Sequence, residues 1–83
     1  MTYFVYLIGN YKKSKLTTYV GYTSNLKNRL KLHNSGKGAK FTRGKSWKIL
    51  YSEKYGTKNE ALSREYYIKK NRRFRNLIKN LYT

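Results

Sequence analysis

Two runs dense in β-branched and aromatic residues, Tyr3-Phe4-Val5-Tyr6-Leu7-Ile8 and Leu16-Thr17-Thr18-Tyr19-Val20-Gly21-Tyr22, flank the polar stretch Tyr11-Lys12-Lys13-Ser14-Lys15. Such residues favour a pleated, half-buried surface, and the short polar interval makes an antiparallel hairpin the simplest connection. The chain therefore begins as sheet. With the turn centred near Lys12 and Lys13, Tyr6 and Tyr19 face each other on one side of that sheet, and a one-residue shift in pairing would undo the match.

The cluster Thr23-Ser24-Asn25 offers helix-capping side chains immediately before a short helix over 26–34. At about 100° per residue, Leu26, Leu30 and His33 form one stripe with Arg29 at its edge. Asn34-Ser35-Gly36-Lys37-Gly38 ends the helix and opens a basic loop that runs through Lys45. Residues 47–55, from Trp47, are β-prone again and predict a third strand. Thr57-Lys58-Asn59-Glu60 has the form of a capping box, so a second helix begins there with Ala61, Leu62, Glu65, Ile68 and Lys69 on one face. Asn71 marks a break, after which Phe74, Leu77, Ile78 and Leu81 recur at helical spacing. The predicted order is β-β-α-β-α-α, an α+β fold in which helices flank a small three-stranded antiparallel sheet, with residues 1–83 as a single domain.

Charge limits the function. Twenty Lys and Arg against three acids give a formal net charge of +17, which makes a polyanion, nucleic acid above all, the expected partner. Ten Tyr, three Phe and one Trp set the chain apart from a disordered basic tail and supply the large side chains that a small core requires. The absence of Cys excludes disulfides, zinc ribbons and thiol nucleophiles, and a single His excludes a multi-histidine metal site. No run approaches the roughly 18 apolar residues of a membrane helix, and no export signal is legible at the N-terminus. A cytoplasmic protein with no membrane association is expected.

The scarce acids say more about chemistry than the abundant cations. All three are Glu, and in a chain with no Cys and one His a divalent metal needs an oxygen ligand. Glu60 belongs to the capping box, and Glu53, beside Lys54 near a strand end, reads as a solvated surface residue. Glu65 falls in the middle of an apolar helical stripe. Two readings stand for it: a partly buried carboxylate paired with a nearby cation, or a lone ligand of one Mg²⁺ whose octahedron is completed by water and a substrate phosphate. His33 is either a hydrogen-bonded structural residue or a base. Arg29 is either a snorkelling surface cation or, pointed at the same pocket as Glu65, a guanidinium that neutralises charge on a phosphate. Tyr6 and Tyr19 are either packing residues or hydroxyls presented to an attacking water. Lys37, Lys40, Arg43 and Lys45 in the loop suit contact with a phosphate backbone, and Lys69 on the Glu65 face is a further candidate. Gly44-Lys45-Ser46 lacks the upstream glycine spacing of a nucleotide-binding P-loop.

In this order the residues resemble the GIY-YIG nuclease family. Phe4-Val5-Tyr6 stands at the first signature, Tyr19-Val20-Gly21 at the second, and Arg29 follows on a helix. The segments from His33 to Gly44 and from Glu60 to Lys70 are similar to the small stand-alone bacterial, YhbQ-like branch. The resemblance implies a three-stranded antiparallel sheet flanked by helices and a one-step hydrolysis of phosphodiesters that uses Mg²⁺, with Mn²⁺ as a substitute. By position it makes Glu65 the metal ligand, Arg29 the phosphate stabiliser, Tyr19 the base or water-positioner and Tyr6 its hydrogen-bonding assistant. It sets His33 near the scissile phosphate. The implied function is a structure-selective or weakly specific DNA endonuclease, acting on branched, flapped or damaged DNA as in DNA repair. The alternative is a non-catalytic nucleic-acid-binding module on the same fold. The basic surface, or an unseen protein partner, positions the DNA.

Overall fold

The computed structural model describes residues 1–82. The hairpin forms from β1, Tyr3–Lys12, and β2, Lys15–Thr23. Lys13 and Ser14 make the turn, with φ of 53° and 62° respectively. A two-residue turn with both positions left-handed matches the twist of the strands it joins, although Asn and Gly adopt it at lower cost. Because this turn lies one residue later than the sequence suggests, Tyr6 pairs with Gly21 and Ile8 with Tyr19. Tyr6 and Tyr19 are diagonal neighbours rather than a directly opposed pair. The slip amounts to two residues of pairing, so the alternation of side chains keeps both tyrosines on one face.

Strand β3, Lys48–Tyr55, joins the other edge of β1, and the antiparallel sheet has the order β2-β1-β3. The central position of β1 explains its composition. Every residue from Val5 to Asn10 is buried, which fits a strand covered on both faces. On one face Val5, Leu7 and Val20 pack with Ala61, Ile68 and Ile78 of α2, Lys58–Lys70, and α3, Arg72–Asn80. On the other, Tyr6 and Ile8 pack with Trp47 and with Leu26 and Leu30 of α1, Leu26–Asn34. The order is thus β-β-α-β-α-α, in three layers with the sheet in the middle.

Local hydrogen bonds set the helix ends. The Asn25 side chain accepts from the Asn28 amide at 3.0 Å to start α1. At the start of α2 the Thr57 hydroxyl accepts from the Glu60 amide and donates to its carboxylate at 2.9 Å. Asn71 closes α2 and opens α3, where its side chain accepts from the Phe74 amide. Only part of the apolar pattern in α3 is used: Ile78 is buried and Phe74 packs on the core, while Leu77 and Leu81 remain exposed.

Glu53 corrects the expectation of a solvated carboxylate. It receives a forked pair of bonds from Arg64, at 2.7 and 3.0 Å, together with the hydroxyls of Tyr51 and Tyr55. Burial pushes its carboxyl up, but the bonds from Arg64, Tyr51 and Tyr55 outweigh it and hold the group below the usual carboxylate range. The same bond to Glu53, helped by burial, pushes the Tyr55 phenol up to about 12. Arg64 also lies against the rings of Tyr67 and Phe74. Glu53 therefore clamps β3 to α2, a structural role that also removes it from any metal site.

Candidate active site

The buried centre of the α1 face is a chain of hydrogen bonds. The Thr42 hydroxyl donates to the Ala39 carbonyl at 2.8 Å, so its oxygen accepts from His33 Nδ1, 2.9 Å away. With its proton on Nδ1, His33 presents Nε2 as an acceptor, and the Tyr6 hydroxyl donates to it at 2.8 Å. Burial pushes the His33 pKa down, and the charge of Arg29 pushes it further the same way, so the ring stays neutral. Burial raises the Tyr6 phenol well above its ordinary range. Arg29 opposes that shift, while Tyr19 and Glu65 add to it. Tyr6 is thus held as a hydroxyl with its own proton committed inward. His33 is 1% exposed and occupied at both ring nitrogens.

Two glycines make room for this arrangement. A Cβ at Gly21, directly across from Tyr6, would lie 2.6 Å from Tyr6 Cζ and would also strike its oxygen. A Cβ at Gly38 would lie 2.9 Å from His33 Cε1 and Cγ. Neither position tolerates a side chain without displacing a ring of the chain of bonds.

Around Tyr6 the structure gathers the remaining residues. Tyr19 stands edge-on to His33, with ring centroids 5.3 Å apart, and its other side carries Phe41 in a near-parallel stack at 6.1 Å and 20°. An open pocket of about 300 Å³ beside them is lined by Thr18, Tyr19, Val20, Phe41, Lys69 and Arg75. Glu65 is not among the lining residues; it is paired at 3.7 Å with Lys69, which lines the pocket one helical turn further along α2. Arg29, half-buried on α1, makes no hydrogen bond or ion pair among the described residues, although its charge acts on both Tyr6 and His33. Tyr6, His33 and Tyr19 are joined by a hydrogen bond and ring contacts, and the charges of Arg29 and Glu65 act on Tyr6 without touching it.

A family model described as "GIY-YIG catalytic domain" matches residues 2–79. The chain belongs to the GIY-YIG nuclease family. Its relatives include UPF0213 protein OB0043 of Oceanobacillus iheyensis, 50% identical over 60 residues that cover 71% of this chain and 70% of that one. UPF0213 protein CPE1444 of Clostridium perfringens is 57% identical over 53 residues, or 63% of this chain and 57% of that one. Against several such relatives the match spans little more than half of their length. The solution NMR structure of the UPF0213 protein BH0048 from Bacillus halodurans is 36% identical, with a TM-score of 0.53 over 98% of this chain and 85% of that one. The register brings the two signature segments side by side: β1 carries Tyr6, and β2 carries Tyr19 together with Gly21, the glycine that leaves room for the Tyr6 ring.

The cations are less tightly gathered. Lys69 lines the pocket, whereas Lys37 lines a separate cleft with Asn28, Lys31, Leu32, Asn34 and Ser35. Lys45 donates to the Phe41 carbonyl and holds its ammonium 4.7 Å from the Phe41 ring centroid, and Lys40 and Arg43 are exposed at the two ends of a single 3-10 turn, Lys40–Thr42. Three contributors carried no sequence signal. Thr42 sits inside a loop that reads as basic and open, Phe41 is a lone aromatic there, and Arg75 is one cation among many. Arg75 lines the pocket while its guanidinium donates to the Ile68 carbonyl at 2.9 Å and to that of Lys69.

A magnesium ion suits the donors present. Among the described residues no three acids, His or Cys come together, so a metal held here would rely on one carboxylate, water and phosphate, a set that Mg²⁺ accepts. The loose Lys69 pairing is the only ion pair or hydrogen bond of Glu65 among the described residues, which leaves its oxygens available. Among those residues, too, no helix is long and apolar enough to cross a membrane.

Proposed function

We propose that the chain is an endonuclease that hydrolyses phosphodiester bonds in DNA with one divalent metal held by Glu65, Mg²⁺ or Mn²⁺. The observation that carries this reading is the meeting of both signature tyrosines on one buried imidazole: Tyr6 donates to His33 at 2.8 Å and Tyr19 stands edge-on to the same ring at 5.3 Å. When bound, the metal would supply Lewis-acid stabilisation of phosphate charge. The Arg29 guanidinium neutralises charge that builds on the phosphate, and its freedom from protein partners suits it to that task. Tyr19 orients the attacking water. Tyr6, its proton directed to His33 Nε2, offers oxygen lone pairs to the same water. His33 and Thr42 position Tyr6 rather than touch the substrate.

The cationic surface holds the nucleic acid by its phosphates without reading its sequence, and the substrate is branched, flapped or damaged DNA. Labelled branched and duplex DNA incubated with Mg²⁺ or with EDTA tests the reading. Cleavage is expected with Mg²⁺ alone and is expected to vanish in Arg29→Ala. Binding without metal-dependent cleavage in the wild type would leave the non-catalytic alternative. Affinity should fall with salt at a log–log slope of about 0.9 per neutralised phosphate, and a flat response would reject nucleic acid as the partner.

A further inference from the structure

Phe41 is the residue that phosphate binding does not account for. It is 51% exposed in a loop otherwise given to cations, in the middle of a single 3-10 turn. Yet its position is firmly held. The turn is tied by Thr42 to the Ala39 carbonyl and by the buried Trp47 indole, which donates to the Thr42 carbonyl at 2.9 Å. Trp47 also lies 6.3 Å from the Phe41 ring, and Tyr19 stacks against it at 6.1 Å. A rigid, half-exposed aromatic ring backed by two others is a platform.

Its surroundings define what lands on it. Phe41 lines the same pocket as Tyr19, Lys69 and Arg75, and Lys69 leads directly to Glu65. The Lys45 ammonium lies 4.7 Å from the ring centroid and donates to the Phe41 carbonyl at 3.1 Å, with further donors left for an anion beside the ring. A nucleotide offers both partners at once: a flat base for the ring and a phosphate for the ammonium.

We infer that Phe41 is a stacking platform for one nucleobase adjacent to the scissile phosphate, so that the preferred substrate carries an unpaired base at that position. The inference rests on the nuclease reading for the word scissile, but the base contact stands on Phe41 alone. A base inside a duplex already has neighbours on both faces and must leave its stack to reach the ring. Unpaired bases at flaps, gaps and single-stranded ends incur the least penalty. Tyr66 and Lys70 on α2 form a second exposed ring–ammonium pair, 5.5 Å apart, but they do not line this pocket.

The test reads binding in EDTA, where no cleavage is needed. Flapped duplexes, whose junction fixes the register, carry one abasic site moved position by position along the flap and are titrated against the full chain. One abasic position should weaken wild-type binding by roughly 5- to 100-fold, the range of a single base–aromatic stack. That penalty should disappear in Phe41→Ala, be small in Phe41→Leu, which keeps apolar packing on Tyr19, and persist in Phe41→Trp and in Tyr66→Ala. Circular dichroism confirms that each variant is folded. A flat abasic scan in the wild type, or an abasic penalty that survives in both Phe41→Ala and Phe41→Leu, overturns the inference. An abasic penalty specific to Phe41 in a protein that never cleaves supports the base contact and rejects only the nuclease reading. Mg²⁺-dependent cleavage with a flat scan does the reverse.

Discussion

The Tyr6 hydroxyl and His33 Nε2 lie 2.8 Å apart in the interior of the α1 face, and the only hydrogen-bonding direction consistent with Thr42 runs from Tyr6 to His33. Tyr6→Phe therefore leaves a buried ring nitrogen without a donor. The expected loss of stability is about 1–3 kcal/mol. Urea unfolding with an unchanged slope checks it, and an unaltered midpoint would show that the bond contributes nothing.

The neutral state of His33 gives a pH dependence of fixed sign. Burial, then the Arg29 charge, lowers the folded pKa below that of the unfolded chain, so the unfolded state binds the proton more readily. The stabilisation is complete above the ordinary imidazole value of about 6.5 and is lost as pH falls from there through the folded pKa. Wild-type stability should fall as pH drops below about 6.5. His33→Asn, less stable throughout, should lack that part of the decline. Parallel profiles for the two proteins would contradict the assignment.

Gly21→Ala should damage the site through Tyr6 alone. The added Cβ falls within 2.6 Å of the Tyr6 ring, and overpacking a buried site costs about 1–3 kcal/mol. Gly56→Ala is the matched control, since no atom lies within 4 Å of its added Cβ. Cleavage and thermal unfolding measured together should show a clear loss for the first substitution and little for the second. Equal behaviour would show that the close approach is not needed.

The hairpin turn can be improved without touching chemistry. Lys13 and Ser14 both adopt positive φ, where side chains other than those of Gly and Asn carry a cost of about 1–2 kcal/mol per residue. The double substitution Lys13→Asn with Ser14→Gly should raise the unfolding midpoint and leave cleavage unchanged. A lower midpoint would place the turn elsewhere.

Most of the architecture was legible because strand and helix periods rest on local rules that this chain obeys: β-rich runs, the caps at Asn25 and Thr57, and the break at Asn71. The register was less so. Nothing in Lys12-Lys13-Ser14 marks the turn, since residues with positive φ there are neither Gly nor Asn, and a displacement of one position separated Tyr6 from Tyr19 by a diagonal. Glu53 was misread for a different reason. Its partners Tyr51 and Tyr55 lie two positions away along the strand, but the decisive Arg64 comes from α2, and a contact of that range leaves no local trace. Glu65 and Arg29 were identifiable as a carboxylate and a cation on or beside apolar stripes. Thr42, Phe41 and Arg75 depend on how the loop and α3 fold back on the site, which no spacing encodes.

The account stands most directly on Glu65. Single-turnover cleavage of labelled branched DNA, with affinity measured in parallel, compares the wild type with Glu65→Gln, which keeps the shape and removes the charge. The predicted result is metal-dependent cleavage in the wild type, a loss of roughly 100-fold or more in the variant, and nearly equal DNA affinity. Equal cleavage rates in the two proteins, or no cleavage by a wild type that binds DNA with Mg²⁺ or Mn²⁺ present, would contradict it.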